Sequence, residues 1–434
     1  MKKTKLFGVI AVLGISLAGL VACGDRGNTD NPGGGTDNPG GETPTGKTIN
    51  LTFSGPADKA KFDESLINGF KEWRKAEGDP NTYVVEQVNH GEDKVDSEVT
   101  DWTAGPDVYC FAPDKIANLY SKGALAKLAG SYKSFVEDNQ TDVAVSAATF
   151  NGDIYAFPYT ADNTYYLQYD KSIFSDEDVK TVEGILEKCA ETNTNFAYKL
   201  IEGFYGQGAL FTYGADYNVE FTEDGQIKSI SADFNLEKGL KAAKGILNII
   251  TNDHVIQEAD IVPNPTENGI SIAVLGTWKV AEAKKTLGDN YGVAPLPSMT
   301  VDGTTANLGC FVGAKLIGVN PQRSNGDNDR LNAAYLLAQY LSDEEAQVKR
   351  FQEQNIGPCN INAVNSEEVK NDANMQVLTE QAAWGHVQGA VPPNLWTASA
   401  TLITGMQDGT TTLDNLQAAL DIYNDTMESL QTAQ

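Results

Sequence analysis

The sequence predicts an α/β fold in two domains, and three observations predict it. Strand-like and helix-like stretches alternate along the chain, the pattern of sheets layered with helices. About 388 residues follow residue 46, more than a single core usually holds. No internal repeat, and no second apolar stretch of membrane-spanning length, interrupts that alternation.

The elements follow in order. Thr48-Ile49-Asn50-Leu51-Thr52-Phe53 alternates apolar and polar residues and stops at Ser54-Gly55-Pro56, which predicts a first strand. Phe62, Leu66, Phe70 and Trp73 then recur at spacings of four, four and three, which line one face of a helix from about Ala57 to Lys75. Tyr83 to Val88 reads as the next strand and Asp107 to Phe111 as a third. Strand, helix, strand in short order predicts a crossover unit in a mostly parallel sheet. Near the end, Leu413, Leu416, Leu420, Tyr423, Met427 and Leu430 form another helical stripe. Nearly all of these stripes are read as core packing.

Composition narrows the functional classes. A formal net charge of −27 argues against nucleic acid, or an anionic surface, held by bulk electrostatics. Cys110, Cys189, Cys310 and Cys359 are too widely spaced for a metal knuckle or a disulfide scaffold; buried thiols are expected, with one bridge left open. His90, His254 and His386 have no neighbours at metal-ligand spacing, and His90-Gly91-Glu92-Asp93 reads as a solvated turn. With 59 acidic residues, carboxylate pairs are guaranteed and are no sign of a glycosidase. There is no Gly-x-Ser-x-Gly elbow, phosphate loop or dinucleotide fingerprint. The expectation is therefore no enzyme, no cofactor and no metal site.

The amino terminus predicts export. Met1-Lys2-Lys3-Thr4-Lys5 is basic, Leu6 to Ala22 is apolar but rich in small residues, and Cys23 follows. At 17 residues, the apolar run is at or below the length of a stable membrane-spanning helix, so residues 1–22 read as a secretory signal. Leu20-Val21-Ala22-Cys23 resembles the lipobox of bacterial lipoproteins, which implies cleavage before Cys23 and its acylation. The following stretch to residue 46 is almost wholly Gly, Pro, Asp, Asn and Thr; it cannot bury a core and reads as a solvated tether.

The body carries a further resemblance. Gly105-Pro106-Asp107-Val108, Phe111-Ala112-Pro113-Asp114-Lys115 and Gly123-Ala124-Leu125-Ala126-Lys127-Leu128 are followed by Phe150-Asn151-Gly152-Asp153-Ile154-Tyr155-Ala156-Phe157-Pro158-Tyr159 and Tyr169-Asp170-Lys171. Ile272 to Trp278 and Tyr291 to Pro297 come next. In this order the segments resemble the extracellular sugar-binding proteins of ABC transporters, the maltose-binding-protein-like group of family 1 solute-binding proteins. The resemblance implies a two-lobed periplasmic-binding-protein-like fold of class II, with strands crossing between lobes and a ligand cleft. It places the first lobe at 47–160 plus 308–366 and the second at 161–307 plus 367–434, with Gly309, Phe311-Val312 and Gly313 in the return crossing.

The same resemblance implies the ligand contacts. Asp114 and Lys115 follow the third strand as the family's acidic and basic pair does. Asp162, four residues after Pro158, takes the place of a ligand-binding acid, with Asn163 the alternative. Phe204, Tyr205 and Trp278 fall at stacking positions. The late stacking tryptophan falls near Leu402, so Trp396 or Trp384 is expected to substitute. Asp58 and Lys59 fall near the contacts after the first strand, where Gly55-Pro56 alters the local geometry. The implied ligand is an oligosaccharide, maltose or a maltodextrin first. The implied partners are an ABC permease and its ATPase, and the chain is expected to be a monomer. Sugar sensing without transport, and binding of another solute such as a peptide, stay open as alternatives.

Overall fold

A computed structural model describes residues 46–258 and 260–429. The signal at 1–22, Cys23, nearly all of the tether and Leu430 lie outside the described residues. The alternation at the start of the body produces the strand Thr48–Gly55, which buries Ile49, Leu51 and Phe53 and exposes Thr48 and Asn50. The helix Ala60–Ala76 buries Phe62, Leu66 and Phe70, and Trp73 stacks on Tyr340 at 5.5 Å. It begins three residues later than expected because Ala57–Lys59 forms a 3-10 turn.

Two five-stranded sheets organise the chain. The first runs Thr82–Asn89, Thr48–Gly55, Val108–Phe111, Lys315–Val319, Ala156–Thr160. The second runs Val255–Ile256, Asn195–Ala197, Ile270–Gly276, Tyr165–Asp170, Tyr291–Ala294. Each is mostly parallel with one strand reversed: Lys315–Val319 in the first and Tyr165–Asp170 in the second. The reversed strand is in each case the one that the chain enters from the other lobe. Strands joined by helical crossovers run toward the cleft, whereas a strand that starts at the cleft runs away from it.

Each sheet has its own core. One buried cluster draws on residues 49–159 and 314–359, the other on 165–312 and 395–427. The hairpin Tyr217–Phe221 with Ile227–Ala232 reaches from the second region to the first: Phe221 meets Phe150 at 4.8 Å, and the Tyr120 hydroxyl donates to the Glu223 carbonyl at 2.7 Å. Cys110, Cys189, Cys310 and Cys359 are free and buried. The final stripe is shorter than expected. Its helix is Leu416–Glu428, and Leu413 lies before it at 63% exposure, because Asn415 and the Thr410–Thr412 turn bond to each other and start the helix there.

Candidate ligand-binding site

Three turns of one design carry much of the site. A strand ends, the chain makes a single 3-10 turn, and a helix begins. Asp58 and Lys59 lie on Ala57–Lys59, Asp114 and Lys115 on Pro113–Lys115, and Trp278 on Thr277–Lys279. The carboxyl ends of strands are where open α/β sheets place ligands. Lys59 pairs with Asp58 at 3.2 Å and Lys115 with Asp114 at 3.1 Å. Burial raises the Asp114 carboxyl above its ordinary value against the pull of Lys115. The Lys115 ammonium is raised in turn, because Asp114 and its neighbours outweigh the effect of burial.

The crossing segments supply the charges between these turns. Asp162 and Asn163 follow the strand Ala156–Thr160 and are both buried. The Thr160 hydroxyl donates to Asp162, and the Asn163 amide donates to Gln388. Lys315, the first residue of the return strand, pairs with Glu92 at 3.2 Å, and the Tyr159 hydroxyl donates to the same carboxylate. Burial first, and then the charge of Glu92, raises the Asp162 carboxyl, with Lys315 opposing. Buried Arg350 donates to the Tyr159 carbonyl at 3.3 Å and lies over its ring, 4.7 Å from the centroid.

Aromatic faces come from the second core. The helix Gly203–Leu210 presents Phe204 and Tyr205. A Cβ at Gly203 would sit 2.4 Å from the Trp396 carbonyl oxygen, so glycine is what lets this helix meet the segment carrying Trp396. Phe204 stacks on Phe311 at 5.5 Å and meets Trp396 edge-on at 6.2 Å. Trp278 is 43% exposed, so part of its indole stays open.

These walls enclose a cavity of 760 Å³. Asp58, Lys59, Asp114, Lys115, Asp162, Asn163, Phe204, Tyr205, Trp278 and Trp396 all line it. Trp384 does not, which corrects the expectation that it could substitute for the late tryptophan: its indole nitrogen is buried away from the cavity, and its amide bonds the Gln381 carbonyl in a tight turn. Leu402 packs in the second core. The turn expected at His90–Asp93 is present, with Asp93 exposed, and it also contributes to the site. Glu92 and Asp93 line the cavity, and His90 Nδ1 is 2.8 Å from Ser54 Oγ. The signal for Glu92 was its place just past the end of the strand Thr82–Asn89. Lys315 and Arg350 also line the cavity and carried no local signal. Among the described residues, no group of three His, Cys, Asp or Glu could hold a metal ion, and no helix is long and apolar enough to cross a membrane.

Two α/β lobes with a cavity lined from both define a bilobed binding protein. Residues 70–377 match the family of bacterial extracellular solute-binding proteins, and the chain belongs to that family. It is 24% identical over 315 residues to the maltotriose-binding protein of Pyrococcus abyssi (strain GE5 / Orsay), a match over 66% of this chain and 65% of that relative's length. A solved structure with acarbose superposes with a TM-score of 0.74 at 27% identity, covering 88% of this chain and 99% of the other. The maltodextrin-binding protein MalE1 from L. casei BL23, solved without ligand, gives a TM-score of 0.77 at 21% identity over 88% and 99% of the two chains.

Proposed function

We propose that this chain is an extracytoplasmic oligosaccharide-binding protein that takes maltose or a maltodextrin into its cavity and delivers it to an ABC importer. The observation that carries the reading is the pairing of walls. Phe204, Tyr205, Trp278 and Trp396 offer flat apolar faces, while the Asp58–Lys59, Asp114–Lys115 and Glu92–Lys315 pairs offer fixed charges. Sugars present apolar ring faces and rims of hydroxyls, so both kinds of surface have a partner in one ligand. The maltotriose-binding relative supports the choice of a glucose oligomer. The chain binds its sugar without breaking it, acts as a monomer, and hands its ligand to a permease and its ATPase.

Two further readings belong to this proposal. Cleavage before Cys23 and lipidation there hold the protein at the outer face of the membrane on the tether of residues 23–46; mass spectrometry of the membrane-bound chain tests this. The lobes are 47–160 with 308–366 and 161–307 with 367–434, a division the two separate buried clusters support except at 308–312, where Leu308, Cys310, Phe311 and Val312 pack with the second.

Titration calorimetry with maltose, maltotriose and longer maltodextrins tests the ligand. Binding of at least one is expected, with Trp278→Ala and Asp162→Asn each weakening it by about tenfold or more at unchanged fold. Heat from none of these sugars, or unaltered affinity in both variants, overturns the assignment.

A further inference from the structure

Trp278 is held by more than its own strand. Its Nε1–H donates to Asp260 Oδ1 at 2.8 Å, and both residues line the cavity. The indole lies across Gly276, where a Cβ would fall 2.2 Å from the ring, so a side chain there would push the ring out of this position. Asp260 sits at φ +58°, a left-handed conformation that is uncommon outside glycine and that Asp and Asn tolerate best. Such backbone is kept when its surroundings demand it, and it clusters at ligand sites. Asp260 is exposed, so its bond to the indole is not forced by burial.

We propose that Asp260 is a positioning residue for ligand recognition: by accepting the indole N–H it fixes the plane of Trp278, and so presents a preformed aromatic face instead of a ring free to turn. This rests on the reading of the cavity as an oligosaccharide site. A ring already held in place loses less conformational freedom when ligand stacks on it, which raises affinity without a new contact to ligand. Asp260 therefore acts through Trp278 and not on the sugar. The loop carrying Asp260 and the strand carrying Gly276 together set the angle at which a ring can stack.

The test uses the full chain with maltotriose as probe. Asp260→Gly keeps the left-handed backbone and removes the acceptor; Asp260→Asn keeps both. Asp260→Gly is expected to weaken binding about tenfold at an unchanged melting temperature, and Asp260→Asn to restore it to within about twofold. In the ligand-free protein, the indole N–H resonance that disappears in Trp278→Ala should shift upfield in Asp260→Gly and stay in place in Asp260→Asn. In a Trp278→Ala background, Asp260→Gly should have no further effect on affinity. Wild-type binding matched by Asp260→Gly overturns the proposal and leaves the sugar site standing. A further loss in the Trp278→Ala background overturns it in favour of direct contact between Asp260 and ligand. Failure of the wild type to bind any glucose oligomer overturns both readings together.

Discussion

Asp63 shows how the environment of one side chain sets the pH response of the fold. It is buried beside the cavity, and its carboxyl is pushed up to about 6, first by burial, with Arg350 opposing and Glu92 adding to the rise. A carboxylic acid whose folded value lies above its unfolded value of about 4 takes up its proton more readily when folded. Its contribution to stability is therefore complete below pH ~4 and is lost as pH rises through about 6. Asp63→Asn cannot titrate. Its melting temperature relative to wild type should climb between pH ~4 and ~6 and then level, with a ceiling on the order of 3 kcal/mol. Asp343, also raised to about 6 by burial, is common to both proteins and cancels in the difference. Parallel pH profiles for the two proteins would refute this account. The candidate site residues were legible through the family resemblance, which pointed to the Asp-Lys steps and the aromatics, whereas the environment that moves Asp63 comes from residues far along the chain.

Among elements, the tie between the first sheet and its covering helix rests on Asp107. Its carboxylate receives Arg330 Nε at 2.6 Å and Nη2 at 2.8 Å from the helix Asn328–Leu341, and the Thr52 amide at 2.7 Å from the strand Thr48–Gly55. Asp107 is 1% exposed, so its removal leaves a guanidinium and an amide without their acceptor. Asp107→Ala should cost about 3 kcal/mol, read as a lower urea midpoint. Maltotriose affinity of the folded protein should stay as it was, because Asp107 does not line the cavity. A midpoint within error of wild type would show that the pair contributes nothing net. At this scale the sequence was a good guide. The first strands and the helix of Phe62, Leu66 and Phe70 are local patterns, and local patterns survive folding. The reversed strands were not legible, because strand direction in a sheet depends on which end the chain enters.

The whole molecule lines its cavity from both lobes, and on the proposed function that arrangement predicts movement. A ligand touching Asp114 on one lobe and Trp278 on the other binds best where the walls meet it, so it shifts the population toward the closed shape. Small-angle X-ray scattering should therefore record a smaller radius of gyration at saturating maltotriose. The Asp162→Asn, Trp278→Ala double variant should show no contraction at the same sugar concentration. An unchanged radius in the saturated wild type would mean that the cavity is filled without closure. The Tyr120–Glu223 and Phe150–Phe221 contacts are interlobe contacts outside the cavity, so closure has to proceed with them or break them.

Local sequence was enough for the α/β class and for the first-lobe strands and helix, because each depends on neighbours a few residues away. Asp58, Lys59, Asp114, Lys115 and Trp278 came from the family resemblance, and all five lie on strand-end turns lining the cavity. What those groups meet is set by the path of the whole chain. Asn163 reaches Gln388 across 225 positions, and Lys315 answers Glu92 because the return crossing delivers it to the end of a distant strand. That path also decided between two tryptophans, placing Trp396 on the cavity and Trp384 off it. Pairings of that kind are set by how the chain passes between lobes, and no local periodicity records that path.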